Sequence, residues 1–508
     1  MENGKRAMLL GSHAAFEDLG DVLILGLGKS ATAAADYCLS RLGGRVRSVS
    51  IAAGARSAQA EEKARGFVER GAKVAFDCYE IHGAYDLAIA SPGISQFEDF
   101  YRSAEAASSE IISEVEFAWR ESPSSTRWVG ITGTNGKTTT TSLTTHLLNA
   151  AGIEAVSVGN IGDTCLDAVA EYPADGPGPV PARVLVAEVS SFQLASTRLF
   201  APQIAVLLNI TPDHISWHKS FEAYAAAKRK VYANLASVPG SLAILGATDE
   251  QVRICVRAMK AQGAARGFAY LPIGAKAGLQ ANMHDVCGSE RAAYLREDGM
   301  LCLQQGEAVT ELVDVDELQI KGRHNAANAL AAASAALELG AEVPAVREGL
   351  RSFAPLAHRI EPCGSIAGVA CYNDSKATNV DATLKALAAF APKRPIALLG
   401  GFDKGTPLDS LVKAAQEHCK AVVCFGAAAP RFEKAFADAV IPVIPAQGME
   451  SALDAALDIA EVGDIVLLSP ACSSFDEFAN FEERGDVFKK LVTQRVQADG
   501  DQGAADGR

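Results

Sequence analysis

One unit recurs along this chain and limits what it can fold into: a short apolar strand, a glycine-rich turn, then an alanine-rich helix. It appears at residues 22–25, 128–131, 184–186, 396–399 and 465–468. Strands buried on both faces and alternating with helices make parallel sheets covered by helices. The pattern predicts an α/β protein, and 508 residues leave room for about three domains.

Two polar, proline-bearing stretches interrupt the pattern. Residues 121–127 (ESPSSTR) follow an acidic helix expected at 110–120 and read as a domain linker. Residues 171–181 (EYPADGPGPVP) hold too much proline and glycine for a helix or a central strand, and read as a surface loop. A third boundary is expected around 344–355, after an alanine-rich helix near 325–339, and the tail 497–508 reads as disordered. The domains expected are 1–122, 123–353 and 354–508.

Lys and Arg number 47 against 61 Asp and Glu, a net charge of −14. That balance disfavours a nucleic-acid or anionic-membrane binder, which needs basic surface to displace counterions. An anionic small molecule held by a few local cations stays open. The 11 cysteines include no C-x-x-C pair and read as buried thiols in a reducing compartment. No run of about 18 apolar residues and no signal segment is visible, so the expectation is a cytoplasmic protein without a membrane span.

The clearest motif is Gly133-Thr134-Asn135-Gly136-Lys137-Thr138-Thr139, between the strand at 128–131 and a helix. A strand, a glycine turn and a helix N-terminus present backbone N–H groups to phosphate. Lys137 would reach the β- and γ-phosphates and the Thr138 hydroxyl would bind Mg²⁺. The strict Walker spacing fails at one place, because Ile131 stands where its first glycine belongs. A second turn, Gly26-Leu27-Gly28-Lys29-Ser30-Ala31, fits a relaxed dinucleotide pattern. The next strand, 46–51, ends in Ala52-Ala53-Gly54 without the acidic residue that a nicotinamide ribose needs. The turn therefore reads equally as a phosphate site and as a tight structural turn.

Glu188 follows the strand at 184–186, at the strand end where α/β proteins bind ligands, and reads either as a second Mg²⁺ ligand or as a helix cap. His214, in Asn209-Ile210-Thr211-Pro212-Asp213-His214, stands at a third strand end, after 204–208. Lys228 lies in a helix expected within 221–232. Alone, Lys228-Arg229-Lys230 reads as a solvated basic face.

Taken in order, these motifs resemble the Mur ligase family of ATP-dependent amide-forming ligases. The resemblance continues through Gly322-Arg323-His324-Asn325-Ala326-Ala327-Asn328, His358-Arg359-Ile360-Glu361 and Asn373-Asp374-Ser375-Lys376-Ala377-Thr378-Asn379. It ends with residues 468–478 (LSPACSSFDEF) and Asn480-Phe481-Glu482-Glu483-Arg484-Gly485. The segments 373–379 and 469–485 look like the branch that adds D-glutamate, and the Asp-Asn-Pro-Arg motif of the diaminopimelate- and lysine-adding branches is absent.

The resemblance implies a Rossmann-like N-terminal domain, a central P-loop ATPase and a Rossmann-like C-terminal domain. Its substrates would be UDP-N-acetylmuramoyl-L-alanine, D-glutamate and ATP, with two Mg²⁺ ions and a carbamylated Lys228 in a monomer. Gly28, Lys29, Ser30, Ser91, Pro92 and Gly93 would hold the nucleotide diphosphate. The run Gly133 to Thr139 with Thr140, and Asn325, Asn328, Arg359 and Asp374, would hold ATP. Asn160, Ser190 and His214 would touch the acceptor carboxyl end. Lys376, Thr378, Lys404, Ser474 and Phe481 would form the D-glutamate site. Thr138, Glu188, His214 and Lys228 would ligate Mg²⁺, and Lys137, His214 and Lys228 would be catalytic. His214 is preferred over the nearby His218 because it directly follows Asp213. A folate polyglutamyl ligase shares the central ATPase, but a whole domain ahead of the P-loop disfavours it. Intact Lys137, Glu188, His214 and Lys228 argue against a non-catalytic nucleotide switch.

Overall fold

The structure, a computed structural model, describes residues 7–176, 182–275, 287–320, 322–403 and 405–506. Among these residues three sheets follow one another along the chain. The first contains β1 (Gly20–Leu25), β2 (Val46–Ala52), β3 (Lys73–Ala75), β4 (Leu87–Ala90) and β5 (Ile111–Ser113) in the order β3-β2-β1-β4-β5. All its pairings are parallel.

The second sheet contains β6 (Arg127–Thr132), β7 (Ala155–Gly159), β8 (Val184–Glu188), β9 (Ile204–Leu207) and β10 (Leu242–Gly246). It continues through β11 (Ala269–Gly274), β12 (Arg291–Leu295), β13 (Met300–Gln305) and β14 (Ala308–Asp314). The order is β14-β13-β12-β11-β10-β9-β6-β8-β7, with antiparallel pairing confined to the β12–β13–β14 meander. β6 is therefore flanked by β8 and β9, and Ile131 pairs with Glu188.

The third sheet contains β15 (Glu361–Ile366), β16 (Val369–Asn373), β17 (Ile396–Gly400), β18 (Ala421–Phe425), β19 (Val443–Pro445) and β20 (Ile465–Ala471). Its order is β15-β16-β20-β17-β18-β19, and only β15 runs antiparallel. Every residue of β17, β18 and β20 is buried, as central strands covered on both faces require. The parallel α/β architecture read from the sequence is thus present in all three sheets.

The chain divides into two compact units, Met1–Val315 with Ala327–Arg351, and Asp316–Ala326 with Ser352–Arg508. Within the first unit one apolar cluster runs without a break from Val22, Ile24 and Val49 to Leu185, Leu207 and Leu245. In the second, separate clusters around Leu399 and Phe432, and around Leu398 and Leu468, cover the two faces of the sheet.

Two local expectations are corrected. The acidic segment is not a helix from residue 110. Ile111–Ser113 pairs with β4 as an edge strand, and the helix is Glu114–Glu121, capped by Ser113 Oγ accepting from Glu116 N–H. Ile111 and Ile112 gain full burial in the sheet, which outweighs local helix propensity. The tail from Gln497 is not irregular at its start, because the last helix spans Phe481–Asp506. No proline interrupts it, and adding residues to an existing helix is far easier than nucleating one. The 121–127 connection is packed: Ser122 Oγ accepts from Trp128 Nε1 at 3.0 Å, and Ser124 N–H donates to Gly11 O at 2.7 Å. Of the 171–181 loop, Asp175 is held by Arg41 and Arg45, and 177–181 lie outside the described residues.

Candidate active site

The phosphate loop sits at the carboxyl end of β6, in the crevice position of a parallel sheet. Gly136 caps the helix Lys137–Ala150 at φ 87°, a conformation that favours glycine. A Cβ there would stand 2.5 Å from Asn328 Oδ1, so Asn328 lies directly against the loop. The loop is braced from β9: Asn135 N–H donates to Asn209 Oδ1 at 2.9 Å, and Asn209 Nδ2 donates to Asn135 O at 3.0 Å. Thr134 Oγ1 accepts from Thr211 N–H at 2.9 Å and lies 2.8 Å from Tyr224 OH. Lys137 Nζ donates to Gly133 O and Thr134 O, both at 2.9 Å. Thr138 is half-buried on the first turn, whereas Thr139 and Thr140 are buried.

Glu188, at the end of β8, is 2 % exposed. Its Oε1 accepts from Asn160 Nδ2 at 2.8 Å. Its Oε2 is buried and has no hydrogen-bond partner among the described residues. A buried carboxylate oxygen left unpaired is costly, so a ligand for it is called for. Ser190 caps the short helix Ser191–Ala195 in a reciprocal capping box with Gln193.

Lys228 does not lie on a solvated face. It is 2 % exposed, and its Nζ donates to Gly133 O at 2.7 Å while standing 4.8 Å from the Tyr224 ring centroid. Burial holds its ammonium well below the usual lysine range, helped by Lys137 and opposed by Asp213 and Glu188. Lys137 and Lys228 thus converge on one carbonyl, that of Gly133.

His214 adopts φ 53° and stands 3.5 Å from Asp213 through Nε2–Oδ2. Its ring lies 4.7 Å from that of Phe192, and its side chain is 44 % exposed. His218 is fully buried, with Nε2 3.0 Å from Ser191 Oγ, and burial pushes it down to about 4. His214 is therefore the histidine with open access at this strand end.

The Gly26–Ala31 turn and Ser91 also meet. Ser91 Oγ is buried with no hydrogen-bond partner among the described residues, 2.8 Å from where a Gly26 Cβ would stand. Gly28 caps the helix Lys29–Leu39, and Lys29 Nζ donates to Gly162 O, close to Asn160. Ser30 lies in the first turn of that helix, and Pro92 and Gly93 follow Ser91 in the turn after β4. A hydroxyl, a glycine turn and a helix N-terminus form a fitting cradle for a diphosphate.

In the second unit Asp374 follows β16, 7 % exposed. Its Oδ2 accepts from Ser469 Oγ at 2.8 Å, its Oδ1 accepts from Ile360 N–H at 3.2 Å, and burial pushes it up to about 7. Arg359 is close enough to oppose that rise, and Asn325 is buried near the start of the helix Arg323–Glu338. Lys376 Nζ stands 3.6 Å from the centroid of the Phe481 ring. Thr378 N–H donates to Lys376 O at 2.8 Å, and Ser474 is 2 % exposed after β20. Asp374, Lys376, Thr378 and Ser474 follow the ends of β16 and β20, neighbours in the sheet. Lys404 lies outside the described residues. The sequence reading assigned no role to Asn209, Tyr224 or Ser375. Asn209 was the findable one, an amide directly after an apolar strand.

Comparison with known proteins agrees with this geometry. Residues 131–336 match the Mur ligase middle domain, and 358–472 match the Mur ligase glutamate ligase domain. A UDP-N-acetylmuramoylalanine–D-glutamate ligase of Caldanaerobacter subterraneus subsp. tengcongensis is 39% identical over 411 residues, 80% of this chain and 84% of the relative. One of the same name from Acidobacterium capsulatum is 38% identical over 475 residues, 93% of this chain and 95% of the relative. The solved structure of MurF from Acinetobacter baumannii has a TM-score of 0.56 at 15% identity, covering 94% of this chain and 93% of that one, which speaks to the fold alone. The chain belongs to the Mur ligase family.

Proposed function

We propose that this chain is an ATP-dependent ligase that joins D-glutamate to UDP-N-acetylmuramoyl-L-alanine. ATP would phosphorylate the terminal carboxylate of the nucleotide substrate, and the D-glutamate amine would attack the acyl phosphate and expel phosphate. The observation that carries the reading is the convergence of Lys137 and Lys228 on Gly133 O of the P-loop, with Glu188 close enough to act on Lys228 and its Oε2 unpartnered among the described residues. The names of the two relatives described above support D-glutamate as the amino acid.

The donor set fits Mg²⁺, a hard ion that takes few protein oxygens and keeps phosphate and water as its other ligands. Thr138 and Glu188 would hold one ion, and His214 with carbamylated Lys228 a second. Such ions would neutralise the charge gathering on the transferred phosphoryl group. Burial favours the neutral amine of Lys228, the form that adds to carbon dioxide, and the carbamate turns a repelling cation into an anionic oxygen ligand. Lys137 would stabilise the phosphoryl oxygens as a fixed charge. Gly133 to Thr140, with Asn325, Asn328, Arg359 and Asp374, would orient ATP. Gly28, Lys29, Ser30 and Ser91 to Gly93 would hold the diphosphate, and Asn160, Ser190 and His214 the acyl end. Lys376, Thr378, Lys404, Ser474 and Phe481 would bind D-glutamate.

Residues 1–122, 123–353 and 354–508 would divide the work as nucleotide-substrate, ATP and amino-acid domains. The enzyme would act as a cytoplasmic monomer. Among the described residues no helix is long and apolar enough to cross a membrane. The test is phosphate release from ATP with UDP-N-acetylmuramoyl-L-alanine and one amino acid at a time. Release is expected with D-glutamate and far less with L-glutamate, L-alanine or diaminopimelate. Equal turnover with diaminopimelate overturns the assignment.

A further inference from the structure

Arg484 has no part in the reaction described so far, yet its setting is unusual. Its residue is 0 % exposed, on the first turn of the last helix, Phe481–Asp506. Nε donates to Ser375 Oγ at 2.9 Å and Nη2 to Ser375 O at 2.8 Å. Nη1 donates to Ser473 O at 3.0 Å, and Nη2 also reaches Cys472 O at 3.1 Å. All four acceptors are uncharged. No carboxylate among the described residues lies within ion-pair distance of this guanidinium, and Asp374, Asp476 and Glu477 act on it only from further away. Burial accordingly pulls it down to about 10, still charged at neutral pH.

The acceptors come from the loops after β16 and β20. The loop after β17 is there too: a Cβ on Gly401, at φ 123°, would stand 3.0 Å from Arg484 Nη1 and 2.3 Å from Ser473 O. Phe402 N–H donates to Ser473 O at 2.8 Å, and Ser375 Oγ passes the network on to Phe481 O at 2.8 Å. One side chain therefore braces the strand-end loops that carry Lys376, Thr378 and Ser474, and the turn that carries Phe481. A buried cation without a counter-ion destabilises a fold, whereas an apolar side chain of similar size would not. Such a charge has a purpose if a ligand brings a further anion near it.

We propose that Arg484 is a positioning residue for the amino-acid substrate: it locks the loops after β16 and β20 in register and adds to the site they carry a positive charge that no carboxylate pairs directly, favouring an amino acid with two carboxylates. This rests on the D-glutamate reading. Nothing in it requires Arg484 to touch the substrate. In a medium of effective dielectric about 20, a unit charge roughly 10 Å from a carboxylate changes affinity by about tenfold.

The experiment compares Arg484→Met, Arg484→Lys and wild type by KM for each substrate, with thermal midpoints as a folding control. Arg484→Met should raise the KM for D-glutamate by about tenfold or more and leave that for ATP within about twofold, since only the charge-selected ligand loses its field. Arg484→Lys keeps the charge but loses the fork, and should fall between Met and wild type. An unchanged D-glutamate KM, or an equal rise for all three substrates, overturns the proposal. If either variant fails to fold, Ser375→Ala is read instead. It cuts the link between Arg484 and Phe481 with a small volume change, and an unaltered D-glutamate KM there is equally fatal. A wild type that ignores D-glutamate overturns the functional reading, and the Arg484 variants are then read with whichever amino acid supports release.

Discussion

Lys228 is the residue at which sequence and structure part most sharply. Its neighbours Arg229 and Lys230 make the local sequence look like a solvated basic face, but the helix Phe221–Arg229 turns Lys228 inward onto Gly133 O. Three-residue windows do not reveal which face of a helix is covered; that depends on what packs against it. The placement yields a prediction. An exposed lysine costs only some tenths of a kcal/mol when truncated, whereas a lost metal ligand removes charge stabilisation from the transfer step. Lys228→Ala is expected to fold with a thermal midpoint near that of wild type and to release little phosphate. Acetate or formate at high concentration should restore part of the rate by supplying an oxygen ligand in the vacated space. Full activity of the unrescued variant would remove the carbamate from the mechanism.

Elements were legible wherever burial on both faces left an unbroken apolar run, as in β6, β8 and β20. Their ends were less so. β5 was misread because only Ile111 and Ile112 mark it, and an acidic helix follows at once. That same junction carries a second prediction. Glu114, the first residue of the helix Glu114–Glu121, is 1 % exposed, and its Oε1 accepts from Leu166 N–H at 2.7 Å while Oε2 has no partner among the described residues. Burial pushes it up to about 7 from an ordinary 4.5. Between those values the folded chain holds a proton that the unfolded chain has released, so stability falls as pH rises through that window. Glu114→Gln keeps the acceptor and cannot ionise. Its stability relative to wild type should therefore grow from about zero at pH 4.5 to on the order of 3 kcal/mol at pH 8. Thermal or denaturant midpoints across that range decide it, and a difference that stays flat with pH excludes ionisation of Glu114 as the cause.

At the scale of the whole molecule, the rhythm indicated parallel sheets and the length about three domains, but not how cooperatively they fold. The first two share one apolar cluster. They also share a buried ion pair: Arg120 binds Glu110 and Glu116, and Glu116 Oε1 accepts from Leu199 N–H at 2.9 Å. Breaking such a pair leaves a buried charge and costs several kcal/mol, so the two regions should unfold together. Calorimetry is expected to show two transitions, one for the unit containing the first two sheets and one for the unit containing the third. Three resolved transitions would mean that the N-terminal sheet melts independently.

The sequence by itself determined the α/β class, the P-loop after β6, and the motifs that identify the family, because these depend on local order: apolar runs, glycine turns and short spacings. Only the tertiary structure decided which charged groups lose their water. Nothing in the letters around Glu188, Lys228, Glu114 or Arg484 marks them as covered, and each is buried. Burial is set by what the rest of the chain brings against a residue, often from more than a hundred positions away, as Ser375 is for Arg484. The chemistry of a charge follows from its desolvation and its partners, and neither is a property of the neighbouring letters.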